Sequence, residues 1–246
     1  MQGVKHYFID SHSVHEELTS GIYSKEANEI INNEFKNKNE LILVGGSGMY
    51  LDAVCEGLDE IPCDKKIRQE LHNLYSNKGI DILLEELKKI DPVFYENVDR
   101  SNPARLIRAL EATRISGIPY SSLRIKEKKD RNFILHRFVI NHERDKLYNR
   151  INDRVDKMIE KGLVEEVHAL INLSHLQALQ TVGYKELFKY FDNKINLEEA
   201  INKIKQNTRN YAKRQLTWFR RHTEAVWMED KGINKMKDTI IECIEK

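Results

Sequence analysis

Apolar positions along this chain change period several times, and the changes predict where its elements fall. Val4 to Ile9 (Val-Lys-His-Tyr-Phe-Ile) has the make-up of a strand. Ser24 to Asn37 places Ala27, Ile30, Ile31 and Phe35 at helical spacing. Leu41-Ile42-Leu43-Val44 is a short continuous apolar run, the pattern of a strand covered on both faces. It ends in Gly45-Gly46-Ser47-Gly48, and a helix is predicted through Met49, Tyr50, Leu51, Ala53 and Val54. Strand, glycine turn and helix form the βα unit of nucleotide-type α/β folds.

Beyond Cys63 the pattern becomes helical. Cys63-Asp64 caps a helix through Ile67, Leu71 and Leu74, which Gly79 breaks; a second helix carries Ile82, Leu83, Leu87 and Ile90. Ser101-Asn102-Pro103 opens a third, through Leu106, Ile107 and Leu110, with proline at its first helical position. Lys126 to Arg131 reads as a charged hinge, and Phe133 to Ile140 as a β-rich run that returns the chain to the sheet. The remainder is read as helices over Asp145–Leu173, Gly183–Tyr190 and Leu197–His222. The expected organisation is an α/β core from 1–60 and 131–246, with a helical insertion over 61–130.

Composition narrows the class. The 246 residues are 40% hydrophobic and 32% charged, which suits a soluble globular protein. No apolar run approaches the ~20 residues that span a bilayer, and the start shows neither a signal-peptide nor a transit pattern. Cys55, Cys63 and Cys243 form no C-x-x-C pair, which argues against a disulfide framework or zinc module and for a reducing cytoplasm.

Charge singles out one segment. The formal net charge is only +1, yet Ala200 to Arg221 holds seven cations and no acid: Lys203, Lys205, Arg209, Lys213, Arg214, Arg220 and Arg221. Interleaved Tyr211, Trp218 and Phe219 add rings that stack on bases while the cations neutralise phosphates. The segment points to RNA, although Ile201, Ile204, Tyr211 and Trp218 also describe a core face. The glycine turn is either a backbone approach to a ligand or a tight structural turn; no Gly-Lys-Ser/Thr follows it, so it is not a Walker loop. Arg150, Arg154, Lys157 and Lys161 form a basic stripe that could grip a diphosphate, or be a solvated face balanced by Asp153, Asp156 and Glu160. Arg105 and Arg108 lie one turn apart and admit the same two readings, as does Arg68. His6, His12 and His15 near Asp10 match no zinc spacing, and no metal ligand is expected there.

Several stretches together resemble the tRNA dimethylallyltransferase (tRNA isopentenyltransferase) family. They are His6-Tyr7-Phe8-Ile9-Asp10, Leu43-Val44-Gly45-Gly46-Ser47-Gly48-Met49-Tyr50, Arg105 to Glu111, Arg150 to Val155, Gly162 to Val167, Gln180 to Glu186, and Tyr211 to Phe219, in family order. The resemblance implies a P-loop NTPase-like parallel-sheet core with a helical insertion that grips the anticodon stem-loop. It implies transfer of a dimethylallyl group from dimethylallyl diphosphate to the exocyclic amine of the adenosine 3′ of the anticodon, in tRNAs reading codons that begin with U. The adenosine is everted for the chemistry. By position, Ser47 and Gly48 would lie near the target nucleotide, Ser47 standing where the family has Thr. Arg68, Arg105 and Arg108 would face tRNA. Gln180, Thr181, Gly183, Tyr184 and Lys185 would contact the anticodon loop, as would Lys213, Arg214, Gln215, Thr217, Trp218 and Arg220. Arg154, and with it Arg150, would hold the diphosphate. Mg²⁺ and a monomeric state are further implications.

The family pattern opens with a strand, a Gly-x-Thr-x-x-Gly-Lys-Thr phosphate loop and an Asp-Ser stretch whose Asp is the general base. This sequence starts downstream of them, at the histidine-containing strand. The expectation is therefore much of the RNA surface beside an incomplete active site, binding an anticodon stem-loop without prenyl transfer. Two other readings stay open: a non-catalytic tRNA-binding remnant, and an unrelated α/β nucleotide-binding enzyme whose arginines serve a small phosphorylated substrate.

Overall fold

A computed structural model describes residues 3–125, 131–230 and 232–245. Of the predicted hinge at 126–131, residues 126–130 lie outside them. The chain divides into two compact units, Glu56–Arg131 and the combination of Met1–Cys55 with Asn132–Lys246.

The Glu56–Arg131 unit is helical throughout, and its helix ends follow local chemistry. α3 (Lys65–Lys78) starts where the Asp64 carboxylate accepts the Lys66 and Ile67 amides, and stops at Gly79, whose φ of +78° suits a residue without Cβ. α4 (Asp81–Ile90) and α5 (Pro92–Asn97) meet at Asp91, which is 1% exposed. Its carboxylate accepts the Phe94 amide at 2.9 Å and both the amide (2.7 Å) and hydroxyl (2.8 Å) of Ser121, so no part of it is buried unpaired. α6 (Pro103–Ser116) begins at the Asn102 cap with Pro103 in its first turn, and α7 (Tyr120–Leu123) follows. Leu71, Leu83, Leu87, Leu106, Ile107 and Leu110 form the core, each contributing roughly 1.5–3 kcal/mol by leaving water.

In the other unit, α1 (Ser20–Glu34) packs on α2 (Gly48–Cys55). The Ser24 hydroxyl donates to the Ala53 carbonyl, and Asn28 Nδ2 donates to the Ser24 carbonyl at 2.7 Å. β1 (Phe138–Asn141) leads into α8 (Arg144–Glu160), then α9 (Leu163–Ala169), α10 (Tyr184–Phe191) and α11 (Leu197–Phe219). Val155, Leu163, Val167, Leu187, Ala200 and Ile204 join these helices in one core. β2 (Val226–Glu229) runs parallel to β1 with Phe138 opposite Val226, and α12 (Ile233–Ile244) closes the order. No helix among the described residues is long and apolar enough to cross a membrane.

The α/β class holds, with a parallel sheet of two strands among the described residues. Two predicted strands are corrected. Residues 4–9 and 41–44 are irregular, and Ile42 and Val44 are 93% and 84% exposed. Strand-forming composition yields a strand only where a neighbour supplies the ladder, and the backbone of neither segment forms a ladder with a described residue. The third run yields only Phe138–Asn141, which does find a partner. The continuous helix expected over 145–173 breaks at Gly162, with φ +94°.

Candidate RNA interface and diphosphate groove

α11 organises the site. Asn196 and Glu199 cap it reciprocally, and Glu198 and Glu199 sit at the positive end of its dipole. Its faces divide the work. Ala200 and Ile204 enter the core. Lys205 pairs with Asp156 at 2.6 Å, and Arg209 donates to Asn152 Oδ1 at 2.6 Å, which ties α11 to α8. Tyr211, Gln215 and Trp218, at i, i+4 and i+7, turn toward the glycine elbow. Lys203, Lys213, Arg214, Thr217 and Arg220 are exposed. Those four cations have no carboxylate partner among the described residues. The Arg214 guanidinium lies 5.7 Å from the Tyr211 ring centre.

The elbow is built by close approach. A Cβ on Gly48 would lie 2.2 Å from Trp218 Cδ1, and one on Gly46 2.0 Å from Gln215 Nε2. Gln215 Nε2 donates to the Gly46 carbonyl at 2.9 Å, and the Ser47 and Tyr211 hydroxyls are 3.4 Å apart. Trp218 Nε1 donates to Asp52 Oδ2 at 2.8 Å, one turn along α2 from Gly48. Asp52 also meets His222 at 3.0 Å and Arg137 at 3.8 Å, while Arg221 covers the Trp218 ring at 3.7 Å. These glycines therefore let α11 seat against the turn. Gln215 and Trp218, expected to touch RNA, here hold the elbow in place. Ser47 stays exposed beside Tyr211, and Gly48 is buried.

The stripe on α8 lines a shallow groove of about 450 Å³, formed by Arg150, Asp153, Arg154, Lys157, Met158 and Lys161. One carboxylate faces four cations, so the groove is electropositive. Arg150 is drawn aside to His142 (3.0 Å) and Asp230 (3.6 Å). Arg154 has no ion-pair partner among the described residues. A lone carboxylate among cations does not fit Mg²⁺, which requires several oxygen ligands, and no step is assigned to that ion.

The Gln180–Glu186 stretch shows which motif residues work internally. Gly183, at φ +102°, donates its amide to Glu186 at 2.7 Å, and the buried Glu186 also accepts Asn207 Nδ2 at 2.6 Å. The turn is thereby fixed to α11. Gln180 donates to the Ser174 carbonyl, and Tyr184 donates to Glu166. Desolvation, then that carboxylate, pushes the Tyr184 phenol up to about 12. Thr181 and Lys185 remain exposed.

In the helical unit, the Glu111 carboxylate is 0% exposed. Arg68 donates to it at 3.1 Å and Arg108 at 3.1 Å, and Arg108 also donates to the carbonyls of Ile61 and Pro62, each at 2.8 Å. Both arginines, expected at an RNA surface, thus stitch the start of α3 to α6; Arg105 alone of the three stays exposed without a side-chain hydrogen bond to a described residue. His12, from the histidine cluster, pairs with Glu26 at 3.2 Å. Sequence reasoning missed Asp52, Glu186 and Asn207 as organisers. Only the Asp52 spacing, one turn after Gly48, offered a signal.

The IPP transferase family profile matches residues 1–222. The chain is 44% identical over 239 residues to the tRNA dimethylallyltransferase 2 of Azobacteroides pseudotrichonymphae, covering 97% of this chain and 78% of that protein. It is 42% identical over 228 residues to tRNA dimethylallyltransferase 1 of Bacteroides thetaiotaomicron, covering 92% and 74%. Among solved structures, the full-length tRNA isopentenylpyrophosphate transferase of Bacillus halodurans superposes with a TM-score of 0.67 at 35% identity, covering 100% of this chain and 78% of that one. A eukaryotic dimethylallyltransferase captured acting on tRNA gives 0.73 at 23% identity over 93% and 60%, a likeness of fold. The chain belongs to the IPP transferase family, the tRNA dimethylallyltransferases.

Proposed function

We propose that this protein serves transfer of a dimethylallyl group from dimethylallyl diphosphate to the exocyclic amine of the adenosine 3′ of the anticodon, in tRNAs reading U-starting codons. In that reaction the bond between the allylic carbon and the diphosphate oxygen breaks. A carbon–nitrogen bond forms, one amine proton departs, and diphosphate leaves. The observation that carries the reading is α11, whose exposed cations Lys203, Lys213, Arg214 and Arg220 lack acid partners among the described residues while its other flank grips the Ser47 elbow. RNA phosphates neutralise the cations. Ser47, Tyr211 and Thr217 offer hydroxyls to the everted nucleotide, and Thr181 and Lys185 meet the anticodon loop.

Arg154 is assigned to the leaving diphosphate, with Lys157 and Lys161 beside it, because an unpaired guanidinium stabilises charge that grows as the bond breaks. Arg105 carries the RNA-facing role in the helical insertion, and Arg68 and Arg108 support it through Glu111. The protein works as a monomer in the cytoplasm.

Binding of an unmodified anticodon stem-loop tests the assignment. Affinity is expected to fall steeply with salt and to drop when the adenosine 3′ of the anticodon is replaced by a pyrimidine. Any prenylated nucleoside recovered must be adenosine modified at the exocyclic amine. Indifference to that base, or a prenyl group on another atom, would overturn the reading.

A further inference from the structure

Three cations meet around one phenol at the junction of α8 and α11, and the motifs above leave all but one of the four residues unused. The Arg144 guanidinium carbon lies 5.3 Å from the Tyr148 ring centre and that of Arg209 5.9 Å. Lys213, a turn beyond Arg209 on α11, acts on the same phenol. None of these cations pairs with a carboxylate among the described residues. The nearest fixed polar partner is neutral: Asn152 accepts from Arg209 at 2.6 Å. Like charges held together without an acid repel one another, and the Arg209–Asn152 and Lys205–Asp156 ties prevent the helices from separating to relieve it. Partial desolvation favours the neutral Tyr148 phenol, but Arg144 and Lys213 outweigh it and hold the phenol below its ordinary range. The cluster thus already stabilises negative charge on the phenol oxygen. Guanidiniums engage the ring, so its hydroxyl edge, rather than a free face for base stacking, is what a ligand meets.

We propose that Arg144, Tyr148, Arg209 and Lys213 form a phosphate-binding site distinct from the Arg154 groove. Guanidinium and ammonium groups supply charge-assisted donors, and the Tyr148 hydroxyl supplies a further, directional one. A ligand phosphate can come from two sources here, the RNA backbone or a diphosphate. The RNA arm rests on the reading of α11 as RNA-facing; the diphosphate arm does not.

The test uses the full chain with Arg144→Gln, Tyr148→Phe and Arg220→Gln, titrated with an anticodon stem-loop over a salt series and separately with inorganic pyrophosphate. Both substitutions at the site fall on a solvent-accessible edge of α8, and thermal melts confirm folding. If the phosphate is RNA's, Arg144→Gln weakens stem-loop binding about 3- to 10-fold and lowers the salt slope by about 0.7–0.9. Tyr148→Phe then weakens it less, and pyrophosphate binding stays unchanged. If the phosphate is a diphosphate, the same two variants weaken pyrophosphate binding and leave the stem-loop unaffected. Ligand occupancy also neutralises the cations, so the Tyr148 phenol rises in the difference between wild-type and Tyr148→Phe alkaline titrations. Unchanged affinity for both ligands would overturn the site. A stem-loop that binds wild type and Arg220→Gln equally would instead count against the α11 reading, and the pyrophosphate arm would still decide the site.

Discussion

Adding one methyl group to each elbow glycine in turn should produce a graded series that reports how α11 seats. Gly48 is the first residue of α2, where alanine would ordinarily stabilise a helix by roughly 0.5–1 kcal/mol. Here the new Cβ would fall 2.2 Å from Trp218 Cδ1, 2.4 Å from Nε1 and 2.6 Å from Cγ. An indole cannot yield at its edge alone, so the whole ring must move, breaking its 2.8 Å hydrogen bond to Asp52. Overpacking of this kind costs about 1–3 kcal/mol, and loss of a hydrogen bond to a charged acceptor adds roughly 1.5–3 kcal/mol. Against the helix gain, a net loss of about 1.5–5.5 kcal/mol follows, which lowers the melting temperature by roughly 3–22 °C for a chain this long. At Gly46 the clash is with the far end of Gln215, at 2.0 Å, which can swing away and surrender one hydrogen bond. That variant should lose only about 1 kcal/mol. A Cβ on Gly45 would meet Leu51 at 3.7 Å, an ordinary contact, and should be nearly neutral. Chemical denaturation of the three variants, with tryptophan fluorescence as the probe, checks the order. A Gly48→Ala protein as stable as wild type would refute the seating of Trp218 on the elbow.

Other outcomes follow from the buried charges. Glu186→Ala should cost about 2–3 kcal/mol in urea denaturation, because the Gly183 amide and Asn207 lose their shared acceptor, while Glu186→Gln should cost less than half of that. Arg108→Ala should destabilise the helical unit by about 3 kcal/mol, since Glu111 keeps only Arg68 and the Asp64 amide, and two carbonyls lose a donor. The double variant Arg108→Met/Glu111→Leu should be milder than the sum of its parts, as a double-mutant cycle would show. Tyr184 titrates near 12 in the folded protein and near 10 unfolded, so its contribution is complete below pH 10 and is lost as pH rises toward 12. The stability gap between wild type and Tyr184→Phe should therefore shrink over that window, measured as a difference in unfolding free energy; a constant gap would contradict the Glu166 contact.

The helices were legible because their information is local. Asp64, Asn102 and Pro103 mark helix starts through side chains that satisfy amides two or three residues away, and the structure places those starts within a residue. Strands were less legible, because a strand is a statement about its partner. Leu41–Val44 has the apolar run of a buried strand yet lies exposed, whereas Val226–Glu229, which lies beyond the last predicted helix, pairs with Phe138–Asn141 from nearly ninety positions earlier. The site divides along the same line. That α11 carries unopposed cations could be read from the sequence. That Gln215 and Trp218 hold the elbow, or that Arg68 and Arg108 turn inward to a buried Glu111, depends on packing between helices far apart in sequence, which a spacing pattern does not encode.

The central claim is that the outward cations of α11 meet the phosphates of an anticodon stem-loop. Fluorescence anisotropy over a salt series, comparing wild type with Lys213→Gln/Arg214→Gln/Arg220→Gln, tests it directly. All three residues are exposed and carry none of the elbow contacts, so the fold should be preserved. The account predicts a weaker complex whose salt slope falls by about 2–3, roughly 0.7–0.9 for each phosphate contact removed. Unchanged affinity and slope in a folded triple variant would contradict it.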